Sequence, residues 1–250
     1  MRLKALVHGD AGTGKSWLGA STPGPRLVLD AEGGSHFARQ SQEDGTTVRP
    51  PAVDWNPMKD EPPSDIDPNT SVFVRIRSMP ELEQAFKWLE SGQHPFRSVI
   101  LDSLTDIQLT CRYKITAGQT HEKDVTDMRS WGKLLDQIIE LCRQFRNLTD
   151  HPTQPLDAVL FIAGSEFIDG HWQPQLQGGI SRRIAGYFDL VMFMQNEMDL
   201  KSGNMMRRGR IVKGPGWVAK DRTHVLTERY GEFINDPTIA DIMEVLSASD

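Results

Sequence analysis

The stretch His8-Gly9-Asp10-Ala11-Gly12-Thr13-Gly14-Lys15-Ser16-Trp17 decides how the rest of this chain is read. Ahead of it, Leu3 to Val7 is a short apolar run that reads as a buried strand, and a helical stretch follows. Gly9 to Ser16 fits G-x-x-x-x-G-K-[ST]. Such a loop turns its backbone N–H groups inward around phosphate oxygens. Side chains would obstruct that turn, hence Gly9, Gly12 and Gly14. The helix behind it adds the positive end of its dipole. Lys15 is expected to reach the β- and γ-phosphates and the Ser16 hydroxyl to ligate Mg²⁺. Gly9, Asp10, Ala11, Gly12, Thr13, Gly14, Lys15, Ser16 and Trp17 together form the predicted nucleotide-binding stretch, for ATP with Mg²⁺.

Such a site needs an acid at the end of a neighbouring strand to hold the metal's water shell. Ser98-Val99-Ile100-Leu101-Asp102 offers one, so Asp102 is the predicted metal acid, although an acidic helix cap would look the same. Hydrolysis also needs a group that orients water. Leu27-Val28-Leu29-Asp30-Ala31-Glu32-Gly33-Gly34 supplies Asp30 and Glu32 at the end of a second strand, and Glu32 is the candidate base. In a parallel sheet such carboxylates share one crevice with the phosphate loop.

Working outward, strands are expected at 26–30, 71–77, 98–102 and 157–164, with helices at 79–90, 104–117 and about 127–148. The last of these puts Trp131, Leu134, Leu135, Ile138, Leu141, Cys142 and Phe145 on one stripe. Residues 188–195 and 207–213 read as an antiparallel hairpin. Strands alternating with helices and ending in that hairpin predict an α/β fold with a mixed, mainly parallel sheet. One domain over 1–250 is the simplest reading, with a short helical tail at about 236–250. The segment 41–70 holds six of the fifteen prolines and reads as an irregular surface insertion. Residues 165–183 read as a long Gly/Pro-interrupted loop.

The formal charge is −6, which argues against a wholly basic nucleic-acid coat but leaves room for a local basic patch. Two cysteines, Cys111 and Cys142, are too few for a disulfide scaffold or a cysteine zinc site and fit a reducing, cytoplasmic setting. No apolar run approaches the ~20 residues that span a bilayer, so no membrane partner is expected.

The order of these segments resembles the RecA-like P-loop ATPase core: phosphate loop, strand ending in Asp-Ala-Glu, strand ending in Asp-Ser, and late Ala219-Lys220-Asp221-Arg222. Single-domain phage ATPases of the Sak single-strand-annealing type are the nearest likeness. The resemblance implies helices on both faces of the sheet and supports Glu32 as the group that activates water. It also implies that Lys220 and Arg222 reach into a neighbouring subunit's nucleotide, Arg222 offsetting charge on the γ-phosphate. Solvated charges on an edge strand would give the same pattern. A head-to-tail homo-oligomer, ring or filament, follows from the trans reading. In that family the strand after the metal acid's helices often ends in a histidine sensor, where this chain has Ser165 and Glu166.

Loops at about 116–130 and 165–183 are candidates for single-stranded DNA. The second carries Phe167, His171, Trp172, Arg182 and Arg183, which suit stacking and phosphate contact. Arg207, Arg208, Arg210 and Lys213 form a third basic cluster. The expected function is ATP-driven DNA recombination by a phage-type protein in the cytoplasm of a host cell, possible partners including a replication or recombination protein. The alternative is a partner-remodelling ATPase, such as a helicase loader, acting on protein.

Overall fold

A computed structural model describes residues 1–34, 40–41, 47–48, 51–116, 128–177, 179–200 and 203–249. The central strand is β1 (Leu3–Gly9), buried along almost its whole length. Parallel to it on one side lie β8 (Ala158–Ala163), β7 (Ser98–Asp102), β2 (Arg26–Asp30), β6 (Ser71–Arg75) and β5 (Ala52–Asp54). On its other side β11 (Leu190–Met198) is also parallel. Three antiparallel strands finish that edge: β12 (Met205–Arg210) and β13 (Lys220–Asp221) pair with β11, and β14 (Phe233–Asn235) pairs with β12. The mixed, mainly parallel sheet and the late hairpin are as the sequence predicts.

Period-two alternation sends the β1 side chains to opposite faces. Leu6 joins a core with Leu82, Ala85 and Leu89 of α2 (Met79–Glu90), Leu104 and Ile107 of α3 (Leu104–Thr116), Leu134, Ile138 and Phe145 of α4 (Met128–Asn147), and Ile180 and Ile184 of α5 (Ile180–Ile184). Leu3, Ala5 and Val7 join a second core with Leu18 of α1 (Lys15–Ala20), Leu226 of α6 (Val225–Tyr230) and Ile239, Ile242 and Leu246 of α7 (Ile239–Ser247). Helices therefore cover both faces. The start of α2 is set by Glu81, whose carboxylate accepts from the N–H groups of Ser78 (2.9 Å) and Arg77 (2.7 Å). The α4 stripe is buried at Leu134, Ile138, Leu141, Cys142 and Phe145; the side chain of Trp131 lies outside the described residues.

Two stretches differ from their reading. Residues 165–183 are not one long loop. β9 (Ser165–Ile168) and β10 (His171–Pro174) pair as a hairpin, followed by α5. The turn works because Asp169 and Gly170 both take positive φ (54° and 81°), which suits the right-handed twist of the strands. Pro174 ends β10, where its missing N–H removes no bond from the middle of the hairpin. Between 41 and 70, where no regular element was expected, β5 extends the sheet and Trp55 is buried against Trp88, ring centroids 4.7 Å apart. β3 (Gln40–Ser41) and β4 (Thr47–Val48) form a small pair of their own.

Two buried histidines make the fold acid-sensitive. Burial holds His8 at about 4, with Lys15 adding repulsion against the opposing pull of the Val218 carbonyl. Burial beside Trp88 and Phe96, with His151 nearby, holds His94 at about 4 as well. Below the ordinary histidine value near 6.5 the unfolded chain takes up protons that the folded chain refuses, so this stability is present above pH 6.5 and falls as pH drops toward 4. Each group contributes up to about 1.4 kcal/mol per pH unit in that window. Urea melts at pH 7, 6 and 5 should show the decline, and His94→Phe should make it shallower.

Candidate nucleotide site

β1 ends at Gly9, where nothing larger than glycine fits. A Cβ on Gly9 would lie 2.4 Å from the Met194 carbonyl oxygen and 2.9 Å from Thr13 Oγ1. The chain then turns through the loop to Gly14, whose φ of +88° a side chain would strain, and enters α1. Thr13, buried, donates from Oγ1 to the Asp10 carbonyl at 2.8 Å and closes the loop on itself.

The Lys15 ammonium donates to the carbonyls of Gly9 (2.8 Å) and Asp10 (2.7 Å), lying back over the loop. Burial pushes its pKa down, while the charges of Glu32, Asp102 and Asp10 pull it up. Three carboxylates thus act on one lysine from three segments. The Ser16 hydroxyl donates to Asp102 Oδ2 at 2.8 Å. This contact reaches across β8, which separates β1 from β7 in the sheet. A hydroxyl beside a buried carboxylate is a hard-oxygen pair of the kind Mg²⁺ takes along with substrate phosphates, so Ser16 and Asp102 fit that ion.

Glu32 is exposed at the end of β2, its N–H directed at the Asp102 carbonyl (3.3 Å). Asp30 has a different task. It is buried, accepts from the Gly33 N–H at 2.6 Å and pairs with Arg75 at 3.2 Å. It therefore shapes the turn that carries Glu32. Arg75, an alternating residue on a strand, gave no sequence signal for this part.

The structure does not bring Lys220 and Arg222 to the phosphate loop of their own chain. Asp221 pairs with Leu190, which pairs with Ala5, four residues before Gly9. At roughly 3.3 Å per residue that is about 13 Å short of the loop. Lys220 donates to the carbonyls of Phe188 (2.8 Å) and Ala185 (3.2 Å), and Arg222 pairs with Asp189 at 2.7 Å. Burial first, and then Arg222, lowers the Lys220 pKa.

His8 is packed, as a strand residue should be, yet it also links segments that sequence reasoning kept apart. Its Nε2 faces the Val218 carbonyl at 2.7 Å, so the proton sits there and Nδ1 accepts from the Ser165 hydroxyl at 2.8 Å. Its ring stacks on Phe193 (5.2 Å), which stacks on Trp172 (5.9 Å). Trp172 and Phe167 are cross-strand partners, ring centroids 5.2 Å apart, and Phe167 is 58% exposed. Glu166 is engaged by Gln173 at 3.3 Å.

The late arginines are largely satisfied within the chain. Arg208 and Arg210 both pair with Glu197, and Arg207 with Asp236. Arg208 also lies over Phe233 (4.0 Å) and Arg210 over Trp217 (4.3 Å), while Lys213 is exposed. Residues 117–127, most of the first loop considered for DNA, and the side chain of Arg182 lie outside the described residues.

With this geometry in place, the comparison with known families is decisive: the profile of a family described as AAA domain matches residues 1–223. The chain belongs to the AAA domain family. It is an AAA-type P-loop ATPase domain, a class that binds nucleotide, typically with Mg²⁺. No curated protein matches it. Solved structures resemble it as well, among them the following two. One is a prototypical ATPase from the type III secretion system of pathogenic bacteria, 13% identical at a TM-score of 0.42, covering 77% of this chain and 52% of that one. The other is the flagellar accessory protein FlaH from Methanocaldococcus jannaschii, 10% identical at a TM-score of 0.38, covering 87% and 81%. The AAA domain spans about half the length of the first. Among its described residues no helix is long and apolar enough to cross a membrane.

Substitutions in the pocket should separate binding from turnover. Lys15→Ala should abolish nucleotide binding in a titration calorimeter. Glu32→Gln should retain ATP and lose at least ~10²-fold in turnover, the usual weight of a positioned base. Unchanged turnover in Glu32→Gln would place the base elsewhere.

Proposed function

We propose that this AAA domain works in DNA recombination, in the cytoplasm, as a head-to-tail oligomer on single-stranded DNA. The observation that carries this reading is the His8–Ser165 hydrogen bond. It joins the residue before the phosphate loop to the base of a hairpin that holds the exposed Phe167 beside Trp172. An aromatic pair of this kind suits stacked bases, and a change at the loop has a short path to it. The likeness of the Asp-Ala-Glu segment to that of RecA, and of Lys-x-Arg to that of RecA-like helicases and recombinases, supports the same reading.

In the pocket, Lys15 and the loop amides bind the phosphates, Ser16 and Asp102 hold Mg²⁺, and Glu32 orients the attacking water. The ion, when bound, neutralises charge on the phosphate oxygens. Lys220 and Arg222 act on the neighbour's nucleotide: both lie away from their own loop, and Arg222, half-exposed, is anchored by Asp189. Each contact repeats head to tail, so the assembly closes as a ring or runs on as a filament.

A partner-remodelling role is favoured by a different observation. The tip of the β11–β12 hairpin exposes Met198, Leu200 and Met205, and the arginines behind it are neutralised by Glu197 and Asp236. Such a tip suits an apolar protein surface better than DNA.

Anisotropy of a labelled oligonucleotide decides between them. Under the DNA reading, affinity falls linearly with salt on a log–log plot and Phe167→Ala costs about 1–3 kcal/mol. ATPase activity indifferent to DNA, but stimulated by a replication protein, would favour the second reading. Arg222→Ala should slow turnover by anything up to ~10³-fold. Doping wild type with that variant should change specific activity non-linearly; a linear mixing curve would argue against completion in trans.

A further inference from the structure

Strand order dictates which way a bound triphosphate lies. Glu32 and Asp102 stand at the ends of β2 and β7, on one side of β1, whereas β11 and β12 lie on the other side. A nucleotide whose γ-phosphate faces Glu32 therefore leads its nucleoside toward β11 and β12. Trp17, the next residue after the Lys15–Ser16 pair, stands there half-buried, with the guanidinium carbon of Arg207 5.3 Å from its ring centroid. Arg207 is held from behind by Asp236, Nε to Oδ1 3.2 Å. Its stem rests on the phosphate loop itself: a Cβ on Gly14 would lie 2.6 Å from Arg207 Cδ. Next to it, Asn196 Nδ2 donates to the Gly12 carbonyl at 3.2 Å. The late hairpin is thus fastened to the phosphate loop at two points, both on the side away from the acids.

We propose that Trp17 and Arg207 form the subsite for the nucleotide base, an indole face and a planar cation against which a purine stacks. Arg207 is then a base-binding residue supplied in cis. A flat π-surface accepts any base face, and a guanidinium stacks as readily as it pairs with anions. This inference rests on the nucleotide reading of the loop and on Glu32 marking the γ-phosphate side.

Calorimetric titration with ATP and with inorganic tripolyphosphate, both with Mg²⁺, tests it, because tripolyphosphate carries the phosphates without a nucleoside. Wild type should prefer ATP. Trp17→Ala and Arg207→Ala should each lower ATP affinity more than tripolyphosphate affinity, cutting that preference roughly 5- to 150-fold. Trp17→Phe, which keeps a ring, should retain most of it, and Arg207→Lys, which keeps charge without the plane, should not. Equal binding of both ligands by wild type would overturn the subsite. So would an unaltered preference in the alanine variants, a parallel loss of both ligands in a variant whose circular dichroism melt is native, or full rescue by Arg207→Lys. Wild type that binds neither ligand would sink the phosphate-loop reading itself, and this inference with it.

Discussion

Everything at the nucleotide site depends on the close approach of β1 to β11 at Gly9, where a methyl group would collide with the Met194 carbonyl. The approach exists because β1 is buried on both faces between parallel neighbours. A strand in that position has no solvent side to which a turn can escape. The chain must leave through the end of the sheet, and it leaves as a loop that turns at Gly12 and Gly14, both at positive φ. From that loop, α1 sends Ser16 over β8 to Asp102. The pocket is therefore a product of sheet order as much as of motif.

The same burial gives His8 its role. A histidine without solvent must find partners for both ring nitrogens or leave a polar atom unsatisfied. Here the partners come from Ser165 and Val218, so one side chain ties the strand before the phosphate loop to the β9–β10 hairpin and to the segment that leads into Lys220 and Arg222. Burial also keeps the ring neutral, so the linkage at neutral pH is one of hydrogen bonds rather than charge.

Charge is divided across the molecule in a way its net value hides. Glu32 and Asp102 stand on the β2–β7 side of the loop and, with Asp10 of the loop itself, act on Lys15. Cations gather on the β12 side, but most are paired within the chain. Arg207 is paired too, yet it also lies against the phosphate loop and Trp17.

Much of this was legible in the chain itself, because the signals were local. Gly9 to Ser16 declares a phosphate loop through residue types at fixed spacing, and the five residues ending at Asp102 declare a buried strand with an acid at its tip. The stripe of α4 follows from its 3.6-residue period. The β9–β10 hairpin was misread because Gly and Pro signal both loops and tight turns, and only pairing with a second strand tells them apart. Tertiary structure alone decided that β8 sits between β1 and β7, that His8 bonds Ser165 157 residues later, and that Arg207 reaches Gly14. Spacing along a chain records who is near in sequence; the order in which strands join a sheet is set by burial of whole faces, and no short stretch of residues carries it.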